Sequence, residues 1–231
     1  AIVFDEIERR RSLPDLGDRV DLLSSLIAAR DEDALTDVEL RDQVVSLIAA
    51  GYDTTTAAAS WMVHFLAAEP TAWGELQREV IATVGDDPLD AAAIQDMAWL
   101  NGVVSETLRL GSPGYIAGRR SDAAFDVCGF TLPPGPFVFY VPYVTHRLAR
   151  CWPRPLDFLP GRWVDGHPDQ HEIVPGSWIP FGGGARRCLG LGFATTELKV
   201  LAVELARAVA THLIAQHPDA GPTGLASMMP A

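Results

Sequence analysis

The chain has 231 residues, 48% of them hydrophobic, and a formal net charge of −12. That is enough apolar material for one large domain or two small ones, and the acidic balance argues against nucleic acid, which needs a basic footprint. Cys128, Cys151 and Cys188 are far apart and form no C-x-x-C pair, which argues against a disulfide scaffold or a zinc site and for a reducing, cytoplasmic setting. No apolar run reaches the roughly 18 residues of a membrane span.

The opening Ala1-Ile2-Val3-Phe4-Asp5-Glu6 is neither a signal peptide nor a methionine start and reads as the interior of a longer gene. Residues 2–11 read as a short helix, broken at Leu13-Pro14. A second helix is expected over 18–30, with Leu22, Leu23, Leu26 and Ile27 on one face, followed by the acidic link Asp31-Glu32-Asp33. Thr36 and Glu39 have capping-box spacing. From there to Ala68 no proline intervenes, so a long helix is expected. Gly51 and Thr54-Thr55-Thr56 weaken its middle, which predicts a local distortion there.

Pro70 opens a helix over about 70–84, and Gly85-Asp86-Asp87-Pro88 is a turn. A further helix covers about 97–110. Residues 115–141 read as short strands and hairpins on Phe125, Val127, Phe130 and Phe137–Tyr140. One short helix is expected at 142–149, an irregular Pro- and Trp-rich meander at 150–180, and an amphipathic helix at about 190–213. The tail beyond Pro218 carries no signal. The fold class is mainly α with small β-sheets.

The most informative stretch is Phe181-Gly182-Gly183-Gly184-Ala185-Arg186-Arg187-Cys188-Leu189-Gly190. It sets a cysteine beside arginines at the start of a long helix, where amide N–H groups and the helix dipole favour a thiolate. Cysteine thiolate is one of the protein ligands of haem iron, and successive glycines let backbone approach a flat ring closely. The plainer alternative is a glycine-rich turn with Cys188 as a small buried hydrophobe.

This stretch resembles the haem-binding signature of the cytochrome P450 family, F-x-x-G-x-R-x-C-x-G, at every fixed position. Three more matches follow in family order. Ala50-Gly51-Tyr52-Asp53-Thr54-Thr55 resembles the oxygen-activation motif, Glu106-Thr107-Leu108-Arg109 the E-x-x-R motif, and Phe158-Leu159-Pro160-Gly161-Arg162-Trp163 the meander motif, where Gly161 replaces a frequent Glu.

The resemblance covers about residues 18–217 and corresponds to the C-terminal half of the fold, so residues 1–231 are expected to form a partial P450 domain. It implies haem b, with Cys188 as metal ligand and Phe181, Gly182, Gly190, Ala50 and Gly51 around the ring. It implies propionate arginines at Arg186 and Arg119, with Arg120 the adjoining alternative. It implies proton handling by Thr54 and Asp53, and a structural triad of Glu106, Arg109 and Arg162. Arg187 is expected to be a solvated surface charge near the sulfur side, with contact to an acidic redox partner as the alternative. His146-Arg147 and the tryptophans at 152, 163 and 178 are expected to pack the structure, and Cys128 and Cys151 to be inert.

The implied reaction is monooxygenation of a small hydrophobic organic substrate by O2, with electrons from NAD(P)H through a ferredoxin or flavoprotein reductase. Glu106–Leu110 and Arg162-Trp163 look like P450 groups that include fatty-acid and sterol hydroxylases. Two alternatives stand beside it: a non-catalytic haem-binding remnant, and a P450-fold peroxygenase or isomerase.

Overall fold

The computed structural model describes residues 2–28 and 35–208, and the backbone of 222–223 and 229–230. The chain divides into two compact units, residues 1–53 and 54–231.

In the first unit, α1 (Ile2–Arg11) matches expectation and buries Ile7. The helix expected over 18–30 starts later. Residues Leu16–Asp18 form a separate 3-10 turn, Arg19 is extended, and α2 runs over Leu22–Ala28. The cause is Asp21, whose Oδ1 accepts the Ser24 N–H at 3.0 Å and caps the helix there. Arg10 ties the two helices, its Nη1 donating to Asp21 at 2.6 Å and to Ser24 Oγ at 2.8 Å. The far end of that predicted helix and the acidic link lie outside the described residues.

Helix α3 (Asp37–Ala68) opens with the expected capping box: Thr36 Oγ1 accepts the Glu39 N–H at 3.3 Å, and Glu39 accepts the Thr36 N–H at 2.8 Å. The expected distortion does not interrupt it, because residues 37–68 are α-helical throughout. The penalty of Gly against Ala is about 1 kcal/mol and that of Thr smaller, and the alanines on either side of Gly51–Thr56 sustain the helix.

In the second unit, α4 (Pro70–Thr83) starts at its proline and buries Trp73, Leu76 and Val80 along one stripe. The sequence reading missed α5 (Ala91–Asp96), a short helix capped by Asp90, whose side chain accepts the Ala92 N–H at 3.3 Å. Helix α6 (Ala98–Leu110) is buried on nearly all sides from Gly102 onward. Its first turn is held from outside by Glu79, whose two oxygens accept the Trp99 and Leu100 N–H groups, both at 2.8 Å. Helix α8 (Leu191–Ala208) adds Leu198, Ala202 and Val203 to the core, beside Ala58, Met62 and Leu66 of α3. The rest of the helix expected to 213 lies outside the described residues.

Strand β1 (Ala117–Arg120) pairs antiparallel with β4 (Phe137–Tyr140), placing Arg119 opposite Val138. Strands β2 (Phe125–Val127) and β3 (Phe130–Leu132) form a hairpin. Its turn residues Cys128 and Gly129 have φ of 49° and 84°, the positive values a tight hairpin turn demands. Beyond the helices, β5 (Pro222–Thr223) pairs with β6 (Met229–Pro230). Helix α7 (Pro142–Thr145) is shorter than the expected 142–149. The carbonyls that would extend it are taken by side chains: Trp152 Nε1 donates to Thr145 O at 3.2 Å and Arg109 Nη1 to His146 O at 2.6 Å. The meander is irregular as expected, apart from a 3-10 turn at Pro160–Trp163. The fold is therefore mostly helical with small two-stranded sheets.

Candidate functional site

Glu106 and Arg109 are one helical turn apart on α6, and both are fully buried. Glu106 Oε2 accepts Arg109 Nε at 2.8 Å and Trp163 Nε1 at 3.0 Å. Oε1 accepts Arg109 Nη2 at 2.8 Å, the Leu159 N–H at 3.0 Å and Arg162 Nε at 3.0 Å. Arg109 spends its remaining donors on the carbonyls of His146 (2.6 Å), Pro155 (2.8 Å) and Asp157 (3.0 Å). Its guanidinium carries five N–H groups and all are used. It also lies over the Trp152 ring, 5.1 Å from the centroid.

Arg162, on the 3-10 turn, donates further to Arg154 O. Burial pushes the Arg162 guanidinium below the usual arginine range, and Glu106 opposes that shift. A single carboxylate thus holds two buried arginines, an indole and a backbone N–H. Such a network rigidifies where its members are satisfied, as Glu106 and Arg109 are here. Trp163 and Leu159 are members that motif spacing did not reveal; an indole next to Arg162 was the available signal.

The 3-10 turn reaches α6 closely. A Cβ on Gly102 would sit 2.5 Å from the Pro160 carbonyl oxygen, so only glycine permits this approach. From the meander, Trp178 Nε1 donates to Ser105 O on α6 at 3.2 Å, and its ring meets Trp163 and Phe181 edge-on. His146 is fully buried. Its Nδ1 lies 2.9 Å from Arg109 O, and its Nε2 accepts the Ile179 N–H at 2.9 Å. Those partners require a neutral ring protonated at Nδ1. Burial, with Arg109 and Arg147 adding repulsion, holds the imidazole down at about 4.

The cysteine loop follows. Gly182 has φ +68°, and a Cβ there would meet Tyr140 Oη at 2.9 Å, so both conformation and space call for glycine. Phe181 is half-buried, and its carbonyl accepts the Cys188 N–H at 3.0 Å, closing the loop. Gly190 O accepts the Ala194 N–H at 2.8 Å, so α8 starts just past the cysteine. Cys188 is exposed and unbridged, which overturns the alternative of a small buried hydrophobe. Leu189, the next residue, is 92% exposed, and Phe193 in the first turn of α8 is 77% exposed. A thiol followed by bare apolar side chains at a helix start, on a loop needing glycine, fits a flat apolar macrocycle bound through sulfur.

Arg186 and Arg187 are exposed on this loop. Arg119 and Arg120 are exposed on β1 and line an open cleft of about 330 Å3 with Ser121, Phe125 and Val138. The Arg119 guanidinium lies 5.8 Å from the Tyr140 ring, so Tyr140 brings Arg119 and Gly182 into one neighbourhood. On α3, Ala50, Gly51, Asp53 and Thr54 are all exposed. Nothing lies within 4 Å of a Cβ placed on Gly51, so this chain's own packing does not demand glycine there.

A mostly helical unit with a buried Glu–Arg–Arg network and an exposed cysteine loop defines a class, and comparison with known proteins agrees. The cytochrome P450 family model matches residues 3–213. Cytochrome P450 139 of Mycobacterium tuberculosis is 41% identical over 197 residues, which cover 84% of this chain and 45% of that protein. Cytochrome P450 135B1 of the same organism is 37% identical over 211 residues, 90% of this chain and 42% of that one. These names give a family and a number but no substrate. The crystal structure of the cytochrome P450DA heme domain superposes with a TM-score of 0.87 at 23% identity, covering 99% of this chain and 51% of that chain, a likeness of fold. The chain belongs to the cytochrome P450 family. It spans less than half the length of these curated relatives. Among the described residues no helix is long and apolar enough to cross a membrane.

Proposed function

We propose that the chain is the cysteine-ligand portion of a haem-thiolate monooxygenase, residues 1–231 forming part of a P450 domain. The observation that carries this reading is Cys188 itself: exposed, flanked by bare Leu189 and Phe193, on a loop anchored to the buried Glu106 network. Haem bound through the sulfur supplies dioxygen chemistry, the thiolate pushing electron density toward O–O cleavage.

This chain's residues hold and serve that group. Cys188 Sγ ligates the iron, and Phe181, Gly182 and Gly190 shape the loop on the sulfur side. Arg119 and Arg186, both exposed, bind the propionate carboxylates. Ala50 and Gly51 keep side-chain bulk away from the ring. The Thr54 hydroxyl and the Asp53 carboxylate, neighbours on α3, pass protons toward dioxygen. Glu106, Arg109 and Arg162 fix the meander and touch no substrate. Electrons come from NAD(P)H through a ferredoxin or flavoprotein reductase, and the substrate is a small hydrophobic molecule.

The test is dioxygen uptake by the haem-loaded protein with a reductase and NADPH, using fatty acids and sterols as probes. Thr54→Ala is expected to raise severalfold the share of oxygen released as hydrogen peroxide. An unchanged share would contradict the proton-delivery role and favour a peroxide-using or isomerase chemistry on the same fold.

A further inference from the structure

We propose that His146 is a positioning residue for the cysteine loop: its imidazole ties the backbone that leads to Cys188 to the carbonyl end of α6. The proposal rests on the reading of Cys188 as the haem ligand.

The connection runs through named atoms. Arg109 lies in the last turn of α6, where carbonyls lack intrahelical partners. Its carbonyl takes the His146 Nδ1 proton at 2.9 Å. The Nε2 lone pair then accepts the Ile179 N–H at 2.9 Å. Ile179 O in turn accepts the Gly182 N–H at 3.1 Å, and Phe181 O accepts the Cys188 N–H at 3.0 Å. A chain of hydrogen bonds thus runs from the Glu106–Arg109 pair through one imidazole into the turn that carries the sulfur. Trp178 Nε1, on Ser105 O, is a second side-chain tie of this segment to α6. The neighbouring Ser177 hydroxyl is buried without a partner and contributes no anchor.

No solvent competes for His146, which is fully buried. Each nitrogen has one partner, and their roles are opposite: losing the Nδ1 bond leaves the buried Arg109 carbonyl unpaired, and losing the Nε2 bond frees the half-buried Ile179 N–H. An unpaired buried group is costly, and a loop freed at Ile179 relaxes through Gly182 toward Cys188. His146 itself touches neither iron nor substrate.

Two substitutions separate the two bonds. In His146→Asn the side-chain amide reaches about as far as Nδ1, keeping the Arg109 bond and losing Ile179. In His146→Gln the longer side chain presents an oxygen near the Nε2 position, keeping the Ile179 bond. The readout is the ferrous–CO spectrum of haem-loaded protein at neutral pH, as the share of the strongly red-shifted thiolate band. Wild type is expected to give that band alone; its absence there would contradict the haem-ligand reading itself, separately from this proposal. His146→Asn is expected to move at least half of the signal to the unshifted band, and His146→Gln, which holds Ile179 but gives up the Arg109 carbonyl, to move a smaller, measurable share. A wild-type spectrum in His146→Asn overturns the proposal. Should the Asn variant not fold, the Gln variant decides, and a wild-type spectrum there overturns it equally.

Discussion

The Nδ1 of His167 occupies the space that a Cβ on Gly161 would need, well inside contact distance. This explains the glycine before Arg162, where the sequence alone suggested only a departure from a frequent Glu. The His167 ring is itself held, tilted on Trp99 at 5.5 Å and accepting the Asp169 N–H at 3.1 Å. Gly161→Ala is therefore expected to cost about 1–3 kcal/mol through overpacking. The double variant Gly161→Ala with His167→Ala should lose less than the sum of the two single changes. Urea unfolding of all three variants measures this; strict additivity would show that the two positions are independent.

Gly102 offers a sharper case. Its missing Cβ faces the Pro160 carbonyl, a backbone group with no rotamer to change. Gly102→Ala is expected to destabilise more than Gly161→Ala, by about 3 kcal/mol or more. It should also lower haem retention, because pushing the 3-10 turn off α6 moves Arg162 away from Glu106. Equal unfolding midpoints for the two alanine variants would contradict this.

Glu106→Gln keeps the shape of the side chain and removes its charge. Arg109 and Arg162 then remain buried with no counter-ion, and breaking a buried pair in this way costs about 3–5 kcal/mol. Denaturant titration is expected to show a loss of that size. A loss below about 1 kcal/mol would mean that the carbonyls around Arg109 and Arg162 suffice to hold both charges.

His146 makes stability depend on pH. Its folded value is held at about 4, below the usual 6.5, by burial first and then by Arg109 and Arg147. Between those values the unfolded chain binds the extra proton, so stability falls as pH falls. The contribution is fully present above pH 6.5 and is lost as pH drops through the window to about 4. At about 1.4 kcal/mol per unit, the window is worth about 3 kcal/mol. The difference in unfolding free energy between wild type and His146→Asn is expected to shrink by an amount of this order from pH 7 to pH 4.5. A difference constant with pH would contradict the neutral, doubly bonded imidazole.

The parts of the fold visible in the sequence were those with local causes. Capping at Thr36, Pro70 at a helix start and the prolines and glycines around the strands all act within a few residues. What was missed had distant or small causes. The start of α2 was set by one Asp21 side chain. The end of α7 was set by Trp152 and Arg109 taking its carbonyls. Helix α5 was too short to show a period. Weak helix formers near Gly51 did not interrupt α3, since propensity there is a fraction of what the flanking helix supplies. In the candidate site, motif spacing pointed to Glu106, Arg109 and Arg162, which the fold gathers around one carboxylate. The parts played by Trp163, Leu159 and His146 depended on contacts across tens of residues that no local pattern encodes.

The central claim is that Cys188 is the haem ligand, and the ferrous–CO difference spectrum of haem-loaded protein tests it most directly. The wild-type chain is expected to give a strongly red-shifted Soret band and Cys188→Ala to abolish it while Cys128→Ala and Cys151→Ala leave it in place. A red-shifted band that survives Cys188→Ala, or one that vanishes with either other cysteine, would contradict the account.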